Sequence, residues 1–163
     1  MNIVKKVTNS LKQDGISGFI TKVKKHFYNE EKSEYYKWIK QNTPSSQELK
    51  KQRNYKFNYA PKISIVVPLY NTPKKYLLEL IKYVQKQTYS NWELCFADGS
   101  TEPLSFVETI ANKDNRIKYK ILKENKGISG NTDEALKMVT GDYVALLDHD
   151  DLIPFNSLYE IVK

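Results

Sequence analysis

Apolar positions change their period along the chain. Over residues 3–27, Ile3, Val7, Leu11, Ile16, Phe19, Ile20, Val23 and Phe27 recur at helical spacing, with lysines between them and breaks at Gly15 and Gly18. The spacing predicts two short amphipathic helices. Tyr35, Tyr36, Trp38 and Ile39 extend the pattern into a further helix, which Thr43-Pro44-Ser45-Ser46 ends or restarts. Residues 47–60 are polar and lysine-rich and read as a linker or a strap lying over the next domain.

From Pro61 onward the pattern alternates between two kinds of segment. Residues 63–67 form a β-branched run, interrupted only by Ser64 and stopped by Pro68, as expected of a buried parallel strand. Residues 73–88 carry Leu77, Leu78, Ile81 and Val84 on one helical face, with Pro73 in the first turn. Strand-like runs recur at 92–97, 117–122 and 143–147, and helical ones at 102–112, 128–139 and 154–162. Tyr76, Tyr83, Tyr89 and Trp92 fall at core-like spacing and are assigned to packing. Strands alternating with helices at this length predict right-handed crossovers and a parallel sheet covered on both faces. Ligands of such sheets bind beyond the carboxyl ends of the strands. The polar residues gather in those places, at 68–72, 98–101, 124–131 and 148–151.

Charge divides the chain at the same point. Of the net charge of +7, residues 1–60 contribute +8 and residues 61–163 contribute −1. A basic surface suits nucleic acid or an anionic membrane, but here that argument touches only residues 1–60. A liposome-binding or partner-binding role for that segment is one reading, and solvated helix faces packed on the domain are the other. No apolar stretch approaches the length of a membrane span, and the N-terminus lacks the apolar core of a secretory signal. Cys95 is the single cysteine and lies in an apolar run, so no internal disulfide is expected and a reducing cytoplasm fits.

The chemistry concentrates in four segments. Asp148-His149-Asp150-Asp151 places three carboxylates directly after a strand read as buried. Carboxylates so close repel one another unless a cation lies between them. Mg²⁺ or Mn²⁺ would answer that need and would take phosphate oxygens as further ligands. Asp150 or Asp151 would equally suit the N-cap of the helix near Pro154. His149 reads either as a ligand or base or as a spacer between two aspartates. Asp98-Gly99-Ser100-Thr101 places a lone acceptor at a strand end, suited to a base N–H or a ribose hydroxyl, or else forms an ordinary turn. Tyr70, after Pro68 and before Asn71, offers a flat face to a nucleobase. Asn125-Lys126-Gly127-Ile128-Ser129-Gly130-Asn131 lets backbone approach a ligand at a helix N-terminus. It is neither G-x-G-x-x-G nor a P-loop. No nucleophile–base arrangement can be assembled from the remaining residues.

In this order, the four segments resemble the inverting family 2 glycosyltransferases of the GT-A fold. The matching stretches are Ile63-Ser64-Ile65-Val66-Val67-Pro68-Leu69-Tyr70-Asn71, Ala97-Asp98-Gly99-Ser100-Thr101, Asn125-Lys126-Gly127-Ile128-Ser129 and Gly141-Asp142-Tyr143-Val144-Ala145-Leu146-Leu147-Asp148-His149-Asp150-Asp151. The resemblance implies an α/β fold, the Rossmann-like nucleotide-binding half of GT-A with a parallel sheet, over residues 61–163. An α-helical basic segment and linker, residues 1–60, would precede it. Pro68, Tyr70 and Asn71 would line the nucleotide pocket, with Tyr70 against the base. Asp98 matches the aspartate that binds a uracil-type ring; many relatives carry two acidic residues here, and this chain has Ala97 in the first place. Asp148 and Asp150 match the D-x-D motif, Asp148 facing the ribose and Asp150 holding Mg²⁺ or Mn²⁺ on the diphosphate. Lys126, Gly127 and Asn131 would approach the donor.

The implied reaction is direct displacement at the anomeric carbon of a UDP-sugar, or of dTDP-rhamnose, by a saccharide or glycolipid acceptor. The family's general base lies well after the D-x-D motif. It is therefore expected beyond Lys163, and donor-nucleotide binding without transfer is expected of this chain. An apolar sheet edge left uncovered, and self-association through it or through the N-terminal helices, are further expectations. A cytoplasmic protein, peripheral at the inner face of the membrane through residues 1–60, fits polysaccharide or cell-envelope biosynthesis. A nucleotidyltransferase would also use clustered aspartates and Mg²⁺. It would be expected to carry a glycine-rich basic loop where this chain has Pro68-Leu69-Tyr70-Asn71.

Overall fold

The computed structural model describes residues 33–163. The helices expected over 3–27 lie outside the described residues. Two units are distinguished, divided between Pro44 and Ser45. Residues 45–60, grouped by the sequence with the N-terminal segment, thus lie in the second unit. In the first, a helix α1 runs over 33–42. It closes where Asn42 Nδ2 and Thr43 Oγ1 donate to the carbonyls of Trp38 and Ile39, at 2.8 and 2.7 Å. No helix among the described residues is long and apolar enough to cross a membrane.

The second unit begins with α2, Ser46–Arg53, started by a capping box in which Ser45 Oγ accepts from the Glu48 N–H and Glu48 accepts from the Ser45 N–H. Part of the expected linker is therefore helical. Beyond it Phe57 packs edge-on against Tyr89 and Tyr159, with centroids 5.1 and 5.5 Å away, so the rest does strap the domain.

The sheet comprises four strands, β1 (Ile63–Leu69), β2 (Trp92–Asp98), β3 (Ile117–Ile121) and β4 (Tyr143–Leu146), alternating with α3 (Lys74–Gln85), α4 (Ser105–Ala111) and α5 (Gly127–Leu136); α6 (Ser157–Val162) comes last. The sheet order is β3-β2-β1-β4 and every pairing is parallel. The expected α/β architecture is the one observed. Period-two alternation divides the core in two. Ile63, Ile65, Val67 and Leu69 with Leu94 and Phe96 face α3, α4 and α6, while Val66, Cys95 and Ala97 face Ala135 of α5. Burial in that second layer pushes the Cys95 thiol up to about 11, as fits an inert core residue.

Several sequence expectations are corrected. Pro68 does not stop β1, which pairs with β2 through Leu69. The Val66 carbonyl accepts from Leu147 N on the β4 side and the Leu69 carbonyl accepts from Gly99 N on the β2 side. Pro68 therefore presents its missing N–H toward β4, where pairing has already ended at Leu146. In α3 the buried stripe is Leu77, Leu80, Ile81 and Val84, and Leu78 is exposed. Tyr76 is also exposed, so it does not join Tyr89 and Trp92 in the core. β4 is not a buried strand. It is a sheet edge, with Tyr143, Val144 and Leu146 exposed, Leu146 to 70%. Among the described residues no strand pairs with the outer side of β4.

Candidate functional site

β1 to β3 progress in one direction across the sheet and β4 is added on the far side of β1. The strand order thus reverses between β1 and β4, and a crevice opens at such a point beyond the carboxyl ends. A cleft of about 280 Å³ lies there. It is lined after β1 by Pro68, Leu69 and Tyr70, at the start of α5 by Asn125, Gly127, Ile128 and Asn131, and after β4 by Asp148, His149 and Asp150. Three loops well separated in sequence thus converge. Six of the sequence-predicted residues meet in the cleft, namely Pro68, Tyr70, Gly127, Asn131, Asp148 and Asp150. Asn71, Asp98 and Lys126 do not line it. Leu69, Asn125 and Ile128 line it without having been singled out, although each lies within a matching stretch.

Each loop is shaped by its own sequence. Asn71 holds a left-handed backbone, φ 49°, a conformation asparagine tolerates better than other side-chain-bearing residues. Its N–H donates to Ser100 Oγ at 2.8 Å and its Oδ1 accepts from Thr101 N at 3.1 Å. Asn71 therefore links the loops after β1 and β2, and Tyr70 beside it is half-exposed.

Asp98 is not the free acceptor the sequence suggested. The side chain is 1% exposed. Oδ1 accepts from Ser100 N at 2.9 Å, and Oδ2 accepts from Leu104 N at 3.1 Å and from the Tyr119 hydroxyl. Burial and the bond to Asp98 push the Tyr119 phenol well above its ordinary value. Asp98 thus sets the turn from β2 into α4, and Tyr119, 21 residues away, is its unforeseen partner.

Asn131 is equally engaged. It is buried, its Oδ1 accepts from Lys126 N at 3.0 Å, and its Nδ2 donates to the Leu69 carbonyl and Asn125 Oδ1 at 3.2 and 3.0 Å. It braces the α5 loop against the end of β1. Gly99 is required by this brace, because an added Cβ would lie 2.9 Å from Asn131 Nδ2 and 3.0 Å from Asn125 Cα. Gly127, at φ 73°, turns the chain into α5 in a conformation that favours glycine. Lys126 turns its ammonium onto Glu134, 2.9 Å away, and that bond raises the lysine pKa.

The acidic segment after β4 is built differently. Asp148 and Asp150 are exposed and, among the described residues, form no ion pair. The capping alternative fails on geometry. α6 begins at Ser157 with Asn156 at its N-cap and no side-chain cap bond, too far along for Asp150 or Asp151. Among the described residues no group of three His, Cys, Asp or Glu side chains converges on a point that could hold a metal ion. One or two carboxylates beside a cleft is nonetheless the donor set a hard divalent ion uses when phosphate oxygens and water complete its shell. The residues fit Mg²⁺ or Mn²⁺ in that sense.

The glycosyl transferase family 2 model matches residues 64–163. The chain belongs to that family. Glycosyltransferase GlyG of Streptococcus pneumoniae is 36% identical over 107 residues, covering 62% of this chain and 35% of GlyG. Escherichia coli WfgD, named as a UDP-Glc:alpha-D-GlcNAc-diphosphoundecaprenol beta-1,3-glucosyltransferase, is 35% identical over 96 residues, covering 59% of this chain and 38% of WfgD. The crystal structure of S. aureus TarS superposes with a TM-score of 0.55 at 34% identity, covering 61% of this chain and 18% of TarS. A mannosyltransferase from Pyrobaculum calidifontis, solved with GDP-Man and Mn²⁺, has a TM-score of 0.52 and covers 66% of this chain and 34% of its own; at 23% identity it bears on the fold alone. The parallel α/β sheet is similar in fold to that of the GT-A glycosyltransferases. The match spans between 12% and 38% of the length of the first eight curated relatives.

Proposed function

We propose that residues 61–163 bind the nucleotide diphosphate of a sugar donor for a glycosyltransferase, with a UDP-sugar as first choice and dTDP-rhamnose as second. The observation that carries this reading is the convergence of Tyr70, the N-terminus of α5 and the Asp148–Asp150 pair on one cleft at the β1/β4 reversal. Tyr70 offers its exposed face to the base. The Gly127 N–H is already held by Asn125 Oδ1 at 3.0 Å, so at the start of this ten-residue helix the Ile128 N–H and the positive end of the helix dipole are offered to phosphate. Asp148 would face the ribose, and Asp150 would hold the divalent ion. Such an ion supplies charge stabilisation to the departing nucleotide diphosphate. Asp98 acts from behind the cleft and Asn131 from its lining, both holding the loops that form it. The acceptor class is a saccharide or glycolipid, in keeping with the acceptor for which WfgD is named.

Calorimetric titration with UDP tests the reading. Binding is expected with Mn²⁺ and is expected to be lost with EDTA. Asp150→Ala is expected to weaken the Mn²⁺-dependent binding at least about tenfold, because an interaction with a charged partner contributes roughly 1.5–3 kcal/mol. No binding by folded protein, with or without Mn²⁺, would refute it.

A further inference from the structure

Lys126 stands at the rim of the cleft but points away from it. Its neighbours Asn125 and Gly127 line the cleft and Lys126 does not. The stem instead crosses Gly130, where an added Cβ would lie 2.4 Å from Lys126 Cβ and 3.6 and 3.7 Å from its Cγ and Cδ. Gly130 is therefore a notch that admits this stem. Past the notch the ammonium reaches Glu134 Oε1 at 2.9 Å. Lys137 Nζ donates to the same oxygen at 2.8 Å, and Lys120 Nζ donates to Oε2 at 2.6 Å.

Three ammonium groups thus share one carboxylate, whose side chain is only 10% exposed. If Lys126 left, each oxygen of Glu134 would still hold a lysine. Lys126 itself is 44% exposed, so its own hold on Glu134 is weak. A diphosphate in the neighbouring cleft would offer more negative charge than a carboxylate shared three ways.

We propose that Glu134 is a positioning residue that parks Lys126 beside the cleft, and that a bound nucleotide diphosphate draws the ammonium across to its phosphates. The transfer is a change of rotamer over the Gly130 notch, with no bond made or broken. It rests on the donor-nucleotide reading above.

The test is a cycle of Glu134→Gln, Lys126→Met and the double variant, each titrated as the full chain with UDP and Mn²⁺. Glu134→Gln frees Lys126 and is expected to tighten UDP about two- to fivefold, the range an exposed ion pair covers. Lys126→Met is expected to weaken UDP, and most of the gain from Glu134→Gln is expected to vanish in its background. Equal tightening with and without Lys126 would report only the loss of a nearby negative charge and would overturn the proposal. An unchanged affinity in Glu134→Gln would also overturn it. Should that variant fold poorly, Glu134→Asp keeps the charge, withdraws the carboxylate, and is expected to shift affinity the same way by less; no shift there overturns the proposal as well. If folded wild-type protein binds no UDP, the donor reading fails and this inference with it. Wild-type binding with a flat Glu134 series refutes this inference alone.

Discussion

Glu93 at the amino end of the sheet and the Asp148–Asp150 pair beyond its carboxyl end meet opposite surroundings. At the amino end, Glu93 of β2 is 1% exposed and fully partnered. Lys62 and Lys118 reach it at 2.5 and 2.9 Å, Ser64 Oγ donates at 2.7 Å, and the N–H and hydroxyl of Thr140 donate at 2.6 and 2.8 Å. At the carboxyl end, Asp148 and Asp150 stand exposed with no cation from the described residues. Burial opposes ionisation of Glu93, yet the bonds from Lys62, Ser64, Thr140 and Lys118 prevail and hold it far below the usual carboxylate range. A carboxylate that meets its lysines within the sheet is architecture, joining β1, β2, β3 and the turn into β4. A carboxylate left open at the cleft is available to a ligand.

Breaking the closed end gives the largest expected effect. Glu93→Gln keeps most of the shape but strips two lysines of their counter-charge. Removing one partner of a buried pair costs about 3–5 kcal/mol, and the part exposure of Lys62 and Lys118 lowers the expectation to roughly 2–3 kcal/mol. The shift of the urea midpoint measures it. The pH dependence has a definite sign. A carboxylate whose folded pKa is depressed stabilises above its unfolded value of about 4.3 and loses that contribution as pH falls toward the folded one. Wild-type stability should therefore fall with acid below about pH 5, and Glu93→Gln should flatten that decline. The open end should behave inversely: Asp150→Ala removes the metal-dependent affinity while leaving stability within about 0.5 kcal/mol, as exposed substitutions generally do. Should Asp150→Ala unfold the protein, or Glu93→Gln abolish UDP binding in folded protein, the division between architecture and ligand site would collapse.

An intermediate effect belongs to the brace that joins the two regimes. Gly99→Ala forces a Cβ against Asn131 Nδ2 and the Asn125 backbone. Overpacking of this kind costs about 1–3 kcal/mol. Because Asn131 ties the α5 loop to β1, the variant should lose both stability and UDP affinity. Melting and titration of the same preparation check this, and a loss in only one would show that the brace serves a single end.

These regions also differ in how plainly the sequence announces them. β1 and β2 are apolar runs that hardly admit another reading, and the loops after them are where a parallel sheet must bind its ligand. Six residues of the cleft were legible from that rule and from the family motifs. Glu93 gave no such signal, because its partners lie from 25 residues (Lys118) to 47 residues (Thr140) away and meet it only through the register of the strands. A separation of 21 residues likewise hid the hold of Tyr119 on Asp98, turning an expected ligand contact into a loop anchor. β4 reads as buried because its residues are apolar, but an edge position is a property of strand order, which local pattern does not encode.

The smallest effect should come from Tyr70, and it probes the open end without touching charge. The side chain is half-exposed after β1, so its loss should barely alter stability. Stacking of a base on an aromatic face is worth roughly 1–3 kcal/mol, and an exposed ring in a shallow cleft belongs at the low end. Tyr70→Ala should therefore weaken UDP about fivefold while leaving the Mn²⁺ requirement intact. Pyrophosphate, which has no base, should bind the variant as it binds the wild type. An equal loss for both ligands would mean that Tyr70 shapes the phosphate end of the cleft, leaving the base to be held by another residue.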